Sequence, residues 1–331
     1  MAVSLADIKN LRDITGAGMM DVKKALEEAN GDFETAKDLL RKRGQAIAAK
    51  RSDREASEGC VLGKAEGEFA AIVALKCETD FVAKNADFVA LTKKILDLAI
   101  AEKPADLEAL KALKVDGMTV AELVTERSGV TGEKMELSDY VYLKGKRTDA
   151  YNHLGNKLST IVSFGEPDAP HEAVHGIAMQ VAAMNPLALD ADHIPAEVKE
   201  RELAVNVEKT KAEEIAKYVE NAIRKVGINP AHVDTDDHIE SNTAKGWLTP
   251  EQAKQARELK VSAAAEAEAN LEKQAKKIEM ISQGRLQKYF KENTLMDQIY
   301  VGNDDKMPVK DFLAKQHATC IDFKRVTLNQ D

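Results

Sequence analysis

The stretch from Ala70 to Asn85 constrains the fold of this chain more than any other part of its sequence. It begins with a strand-like apolar run, Ala70–Leu75. A short polar segment, Cys77–Asn85, follows, and the next helix is predicted to begin near Ala86. A strand that passes so directly into a helix predicts a mixed α and β fold, with the segment between them forming a turn.

Phe81 lies inside this turn, between Asp80 and the short apolar pair Val82-Ala83. Two interpretations are open. The ring can pack against the start of the helix and fix it onto the core, as a hydrophobic staple does. Alternatively, it can point outward and present an aromatic wedge to a partner protein. Taken alone, the turn favours the staple.

The size and charge of the chain exclude some classes of function. With 331 residues, the chain can hold two or three domains and bury a sizeable core. Its net charge of −9 argues against direct nucleic-acid binding, because contact with the phosphate backbone requires concentrated positive charge. One basic patch is interpreted as a solvated linker beside a small domain; it contains Arg41, Lys42, Arg43, Lys50, Arg51 and Arg54.

The cysteines and the apolar segments indicate the compartment. Cys60, Cys77 and Cys320 are far apart and form no CxxC pair, so neither a zinc ribbon nor a disulfide framework is supported. The N-terminus enters an amphipathic helix and does not resemble a signal peptide. No apolar run reaches about 18 residues, the length needed to cross a membrane. We therefore expect a cytoplasmic protein without a membrane span.

Residues 1–43 are predicted to form a bundle of three helices. Ser4 is a candidate N-cap of the first helix, and Gly16 ends it because glycine readily adopts the left-handed conformation. The second helix ends at Asn30-Gly31, and Asp32 caps the third. This topology resembles a ubiquitin-associated-type bundle. The polar residues 44–57 are predicted to be a linker.

Two strand–strand–helix units are predicted next. The first contains strands at Cys60–Lys64 and Phe69–Leu75 and a helix at 86–102, with helices at about 105–112 and 119–126 after it. The second contains strands at Asp139–Lys144 and Leu158–Phe164, paired with each other, and a helix at about 170–184. Residues 58–138 and 139–195 should therefore form two similar antiparallel α+β core subdomains.

Residues 196–292 are predicted to form a long antiparallel helical hairpin of coiled-coil type, inserted in the second subdomain. Its two arms, at 196–225 and 250–292, are rich in Ala, Glu and Lys. Their apolar stripe is imperfect and leaves surface that a second copy could cover, so a homodimer stays open. Residues 293–331 should return to the second subdomain, with strands at Met296–Tyr300 and Cys320–Val326 and a short helix at Val309–His317.

The segment from His171 to His175 matches HExxH, in which two histidines bind zinc from one face of a helix. However, His171 directly follows Asp168-Ala169-Pro170, which places it in the solvated first turn. The inner face of the helix is predicted to carry Val174, Ile177, Ala178 and Val181. We therefore predict no metal and no cofactor, and a zinc peptidase is the weaker alternative. No nucleotide-binding loop motif occurs in the sequence.

Two segments resemble the signatures of the elongation factor Ts family. The first is Leu11–Leu26, LRDITGAGMMDVKKAL, and the second is Cys77–Lys84, CETDFVAK. They occur in the family's order, and the resemblance covers about residues 3–208 and 277–325. Three departures are expected: Ala74 and Lys76 replace a usual Glu and Asn, residues 209–276 are longer than the usual hairpin, and the terminal helical module of some members is not expected here.

The resemblance implies a function and a set of contact residues. Members of this family are not enzymes with covalent chemistry; they bind elongation factor Tu carrying GDP and promote GDP release, which allows GTP to be reloaded. The family's TDFV segment contacts the partner's nucleotide-binding domain, where the Phe helps to displace Mg²⁺. The matching residues are Thr79, Asp80, Phe81, Val82 and Ala83. Further partner contacts are implied for Arg12, Gly18, Met19, Met20 and His153.

The resemblance therefore reverses the preference at Phe81 and favours the aromatic wedge. The main rival is a ubiquitin-associated-type adaptor or chaperone without exchange activity. That rival needs only the N-terminal bundle and assigns no role to the turn at Thr79–Asn85.

Overall fold

The computed structural model describes residues 3–115, 117–302 and 306–328. The chain forms two compact units. The first comprises Met1–Leu189 and Gln298–Asp331, and the second comprises Asp190–Asp297. The predicted fold class is confirmed, because helices and small antiparallel sheets are mixed and a three-helix bundle stands at the N-terminus.

The bundle consists of α1 (Leu5–Thr15), α2 (Met19–Glu28) and α3 (Phe33–Lys50). Ser4 and Asp32 cap the first and third helices through their side chains, as predicted. The predicted end of the third helix near residue 43 is wrong, because α3 continues through Gly44 to Lys50. The added turns are rich in alanine, a strong helix former, and Gly44 packs directly against another helix.

The first sheet contains β1 (Glu58–Glu66), β2 (Phe69–Cys77) and β5 (Met135–Lys144), with β2 in the centre. Between β2 and β5 the chain forms the following elements: α4 (Asp80–Ala83), α5 (Ala86–Glu102), α6 (Leu107–Ala112), β3 (Lys114–Val115), β4 (Met118–Thr119) and α7 (Val120–Thr131). The β1–β2 hairpin and the helix beginning at Ala86 are confirmed.

Strand β2 is buried on both faces, which explains its continuous apolar run. Phe69, Val73 and Leu75 belong to the core shared with α5 and α7, whereas Ile72 belongs to a second cluster with Ile161. Alternate residues of a strand point to opposite faces, so one strand supplies both clusters.

The predicted pairing of residues 139–144 with 158–164 is wrong. Residues 139–144 lie in β5, which pairs with β2, and Leu137 and Tyr140 of this strand complete the core beside α5. The second sheet instead contains β6 (Arg147–Asn152), β7 (Leu158–Phe164) and β8 (Cys320–Thr327), in that order. Helix α8 (His171–Met184) packs against it.

The repeated strand–strand–helix pattern is therefore β1–β2–α5 and β6–β7–α8. The C-terminal strand and helix are confirmed as β8 and α13 (Val309–Lys315). The predicted strand at Met296–Tyr300 is wrong, since one isolated bridge joins Ile299 to Pro308. Proline has no N–H to extend such a ladder.

The second unit is built on α9 (Ala196–Lys225), which packs against α11 (Pro250–Ala269) and α12 (Ala275–Asn293). The predicted second arm is thus two helices, separated by a turn at residues 270–274. Helix α10 (Asp236–Ala244) helps to enclose a small core with Ile223, Val233, Ile239 and Leu248. No helix in the described ranges combines the length and apolar character needed to cross a membrane.

Candidate functional site

Two helix starts in quick succession fix the turn after β2. Thr79 is the N-cap of the one-turn helix α4, where its hydroxyl oxygen accepts from the N–H of Val82 at 3.5 Å. Two residues after α4, the side chain of Asn85 accepts from the N–H of Asp87 at 2.8 Å and caps α5. These caps satisfy backbone donors that would otherwise be unpaired at the helix ends.

The side chains of α4 divide between the core and the solvent. Ala83 is buried in the first core and Val82 packs against it. Phe81 points outward and is 83% exposed. Asp80 is also on the outer side, where Lys84 donates to its carboxylate at 2.6 Å and lowers its pKa. The staple interpretation of Phe81 is therefore wrong, because an aromatic ring so exposed holds nothing in the core.

Two glutamates stabilise the turn through hydrogen bonds and ion pairs. Glu133 accepts from both the N–H and the hydroxyl of Thr79, at 3.0 and 2.6 Å. Glu78 accepts from the N–H of Lys134 at 2.6 Å and from Arg51 and Arg54, each at 3.0 Å. The Lys134 N–H bond and the two guanidinium groups lower the pKa of Glu78 to about 2. The spacing in sequence offers no signal for Glu133, which lies 54 residues beyond Thr79.

The basic patch at the end of the bundle is not a solvated linker, so that interpretation is wrong. Arg51 and Arg54 bind Glu78, and Arg41 forms an ion pair with Glu122 at 2.9 Å. Three of its six residues, Arg41, Arg51 and Arg54, instead join the bundle to the core and to the support of the turn.

The first signature forms the turn between α1 and α2. Gly16 has a φ of 68° and ends α1, while Gly18 is the extended N-cap of α2. Met19 and Met20 follow on the outside and are 56% and 65% exposed. Arg12 is exposed, and its carbonyl accepts the N–H of Gly16 at 2.7 Å. The turn therefore exposes two flexible apolar side chains, and the last turn of α1 before it carries an exposed arginine.

A cleft of about 1080 Å³ is lined by residues of the bundle, α5 and α7. Ile14 and Gly18 from the first signature line it on one side, and Leu91 and Leu123 line it on the other. Phe81, Met19 and Met20 are not among the lining residues. The two signatures thus contribute to the surface of the same compact unit.

His153 lies elsewhere in this unit, at the turn between β6 and β7. Its ring contacts the hydroxyl of Tyr151 at 3.0 Å through Nδ1. The turn is held to β1 because the side chain of Asn152 bonds both the N–H and the carbonyl of Gly63, at 2.7 and 2.9 Å. Leu154 follows His153 and is 91% exposed, and no motif in the sequence indicates this exposed apolar residue.

The HExxH segment does not assemble a metal site among the described residues. His171 is exposed, as predicted, and Nδ1 of His175 pairs with Asp149 at 2.8 Å. The inner face of α8 is confirmed, since Val174, Ile177, Ala178 and Val181 are buried. Within the described ranges, no group of three or more His, Cys, Asp or Glu side chains is arranged to hold a metal ion.

Comparison with known proteins agrees with these features. The family model described as Elongation factor TS matches residues 78–330. Proteins named Elongation factor Ts from Phocaeicola vulgatus and Parabacteroides distasonis are 54% and 53% identical to this chain. A third, from Porphyromonas gingivalis, is 43% identical, and all three alignments cover 100% of both chains. The chain therefore belongs to the elongation factor Ts family of translation factors.

Proposed function

We propose that this protein binds elongation factor Tu carrying GDP and promotes GDP release by disturbing the Mg²⁺ and phosphate site of its partner. Release then allows GTP to be reloaded for the next cycle of translation elongation. The observation that carries this proposal is the outward position of Phe81, which is 83% exposed on a turn held from both ends.

The five residues of the turn, 79–83, have different roles in this mechanism. Asp80 and Phe81 form the surface that meets the partner. Val82 and Ala83 anchor the turn in the first core, and Thr79 caps it. Mg²⁺ requires near-ideal octahedral geometry, so a wedge that moves its ligands slightly weakens the hold on the phosphates.

The first signature supplies a second contact in this proposal. Met19 and Met20 are flexible, polarisable side chains that adapt to an irregular apolar surface. Gly18 allows the turn to approach the partner closely, and Arg12 adds an exposed cation in the last turn of α1. His153, held on β1 through the neighbouring Asn152, provides a third contact.

The exchange reaction uses binding energy alone, so we assign no covalent chemistry, cofactor or nucleic-acid contact to this chain. We place the protein in the cytoplasm, where translation elongation takes place. The packing of α9 against α11 and α12 supports a hairpin of coiled-coil type. The adaptor alternative is less well supported, because it assigns no role to the exposed Phe81.

The proposal is tested by the release of fluorescently labelled GDP from elongation factor Tu, with native protein and with Phe81→Ala. Phenylalanine side chains bury about 150–250 Å² when covered, and loss of such an anchor costs about 2 kcal/mol or more. We therefore expect stimulated release to fall at least about tenfold. The fold should be retained, because the ring makes little contact with the protein.

Val261→Ala is a matched control, because Val261 is an apolar residue that is 74% exposed in α11 of the other unit. It should leave release unchanged. If native protein fails to accelerate GDP release, the proposed function is refuted. If native protein accelerates release and folded Phe81→Ala does so equally, the wedge assignment alone is wrong.

A further inference from the structure

Helices α3 and α7 cross with their backbones in contact, at Gly44 and Gly129. A Cβ atom added to Gly129 would lie 2.1 Å from Cα of Gly44 and 2.9 Å from its carbonyl carbon. A Cβ added to Gly44 would lie 3.3 Å from Cα of Gly129. Glycine is unfavourable in the interior of a helix. The close contact leaves no room for a side chain at Gly129, and at Gly44 an added Cβ fits only after a shift of a few tenths of an ångström.

Further contacts connect the bundle to the core on either side of this crossing. Arg41 pairs with Glu122 of α7 at 2.9 Å. At the turn of the first signature, a Cβ on Gly16 would lie 3.6 Å from a guanidinium nitrogen of Arg127. Arg127 also pairs with Asp87, in the first turn of α5, at 3.5 Å.

The end of α3 reaches the support of the second signature. Arg51 directly follows α3 and binds Glu78 at 3.0 Å, next to Thr79. Helix α3 of the bundle is therefore in contact with the core from its middle to its end. The bundle, which carries the Met19-Met20 surface, and the core, which carries the Phe81 surface, are therefore joined through this connection.

We infer that Gly44 and Gly129 are positioning residues that hold Met19 and Met20 at a fixed spacing from Phe81, so that one copy of elongation factor Tu engages both surfaces at once. This inference rests on the proposed function. Two linked contacts reinforce each other only when their geometry allows simultaneous engagement. A rigid crossing provides that geometry before binding, and the complex avoids the entropy loss of ordering a flexible linker.

Three glycine-to-alanine variants test the inference. Gly129→Ala forces the two backbones apart, and we expect stimulated GDP release to fall about tenfold or more. Gly44→Ala requires a shift of only a few tenths of an ångström and should have a smaller effect. Gly284→Ala is the control, because Gly284 lies inside α12 with no atom within 4 Å of an added Cβ. It should release GDP at the native rate.

A second experiment separates a change of position from a loss of fold. The double substitution Met19→Ala and Met20→Ala should weaken exchange in the native background but have little further effect in Gly129→Ala. Phe81→Ala should remain costly in both backgrounds. Spin labels on Leu5→Cys and Glu102→Cys, both exposed, should give a distance that shifts or broadens in Gly129→Ala. The native cysteines are buried and do not compete for the label.

The outcomes distinguish this inference from the proposed function. One result overturns the inference and leaves the proposed function standing. In that result Phe81→Ala reduces GDP release, Gly129→Ala matches native protein, and the methionine substitutions reduce GDP release as much in Gly129→Ala as in the native background. If native protein does not accelerate GDP release, both fail together. Should Gly129→Ala not fold, Gly44→Ala decides by the same comparison: a native label distance and native exchange would refute the inference.

Discussion

Glu78 gives the most direct test of how the Phe81 turn is supported. Its carboxylate accepts from the N–H of Lys134 and from Arg51 and Arg54. Glu78→Gln keeps an acceptor for Lys134 but removes the charge that binds the two arginines. Glu78→Ala removes the acceptor as well. Both variants should destabilise the first unit, and the alanine variant should do so more strongly.

The magnitude follows from the pKa of this group. Folding lowers the pKa of Glu78 from its ordinary value of 4.5 to about 2. At 1.36 kcal/mol for each pKa unit, this fall corresponds to an upper value of ~3 kcal/mol. The Arg54 side chain is 57% exposed, so solvent screens part of the attraction. We expect ~1–2 kcal/mol for Glu78→Gln, and about 1 kcal/mol more for Glu78→Ala because the Lys134 N–H is left unpaired.

The dependence on pH has a definite sign. Because folding lowers this pKa, the carboxylate stabilises the native state fully above about pH 4.5, and the contribution disappears as the pH falls toward about 2. The difference in unfolding free energy between native protein and Glu78→Gln should therefore be constant near neutral pH and shrink below about pH 4.5.

Hydrogen exchange of peptides from β2 and α5, measured in increasing urea, reports the stability of the first unit. Trp247, the sole tryptophan, lies in the second unit, and its fluorescence serves as an internal reference. Glu27→Gln is the matched control, because Glu27 forms an exposed pair with Lys23 at 3.8 Å and should matter by less than ~0.5 kcal/mol. The reasoning would be refuted if Glu78→Gln and Glu27→Gln lowered the free energy of unfolding equally, or if the effect of Glu78→Gln did not change with pH.

Three other predictions concern groups outside the turn. Burial raises the pKa of Cys60 to about 11 and that of Cys77 to about 12, so iodoacetamide at pH 8 should label both thiols in urea and neither in native protein. His171→Ala should leave GDP release unchanged, and elemental analysis should find no stoichiometric zinc; one zinc per chain, lost on mutation, would contradict this. Shortening residues 209–276 to a tight turn should preserve most GDP release, because Phe81 lies in the other unit; light scattering would show any change of oligomeric state.

Local signals in the sequence predicted much of the fold. The helix expected from Ala86 begins there, because Asn85 provides the capping oxygen. The hairpin β1–β2 follows from two apolar runs separated by a glycine turn, and the inner face of α8 follows from its helical spacing. In each case the determining interactions lie within a few residues along the chain.

Contacts between residues far apart in the sequence were not predictable from local signals. The alternation in Met135–Lys144 suits any sheet with one covered face, and it does not reveal that the partner is β2. The packing of Gly44 in α3 against Gly129 joins two helices that lie far apart in the sequence, and no local pattern indicates it. The support of Thr79 by Glu133 has the same character.

The position of Phe81 depends on both kinds of information. Strand β2 is buried on both faces and hydrogen-bonded on both edges, so its carboxyl end is fixed. Ala83 and Val82 fill the inner side of the following turn, which leaves the outer side to Asp80 and Phe81. A wedge displaces groups on its partner only if its own support yields less than they do. In the proposed mechanism the centre of a sheet, two helix caps and two glutamates provide that support, and the exposed ring is the part that binds the partner.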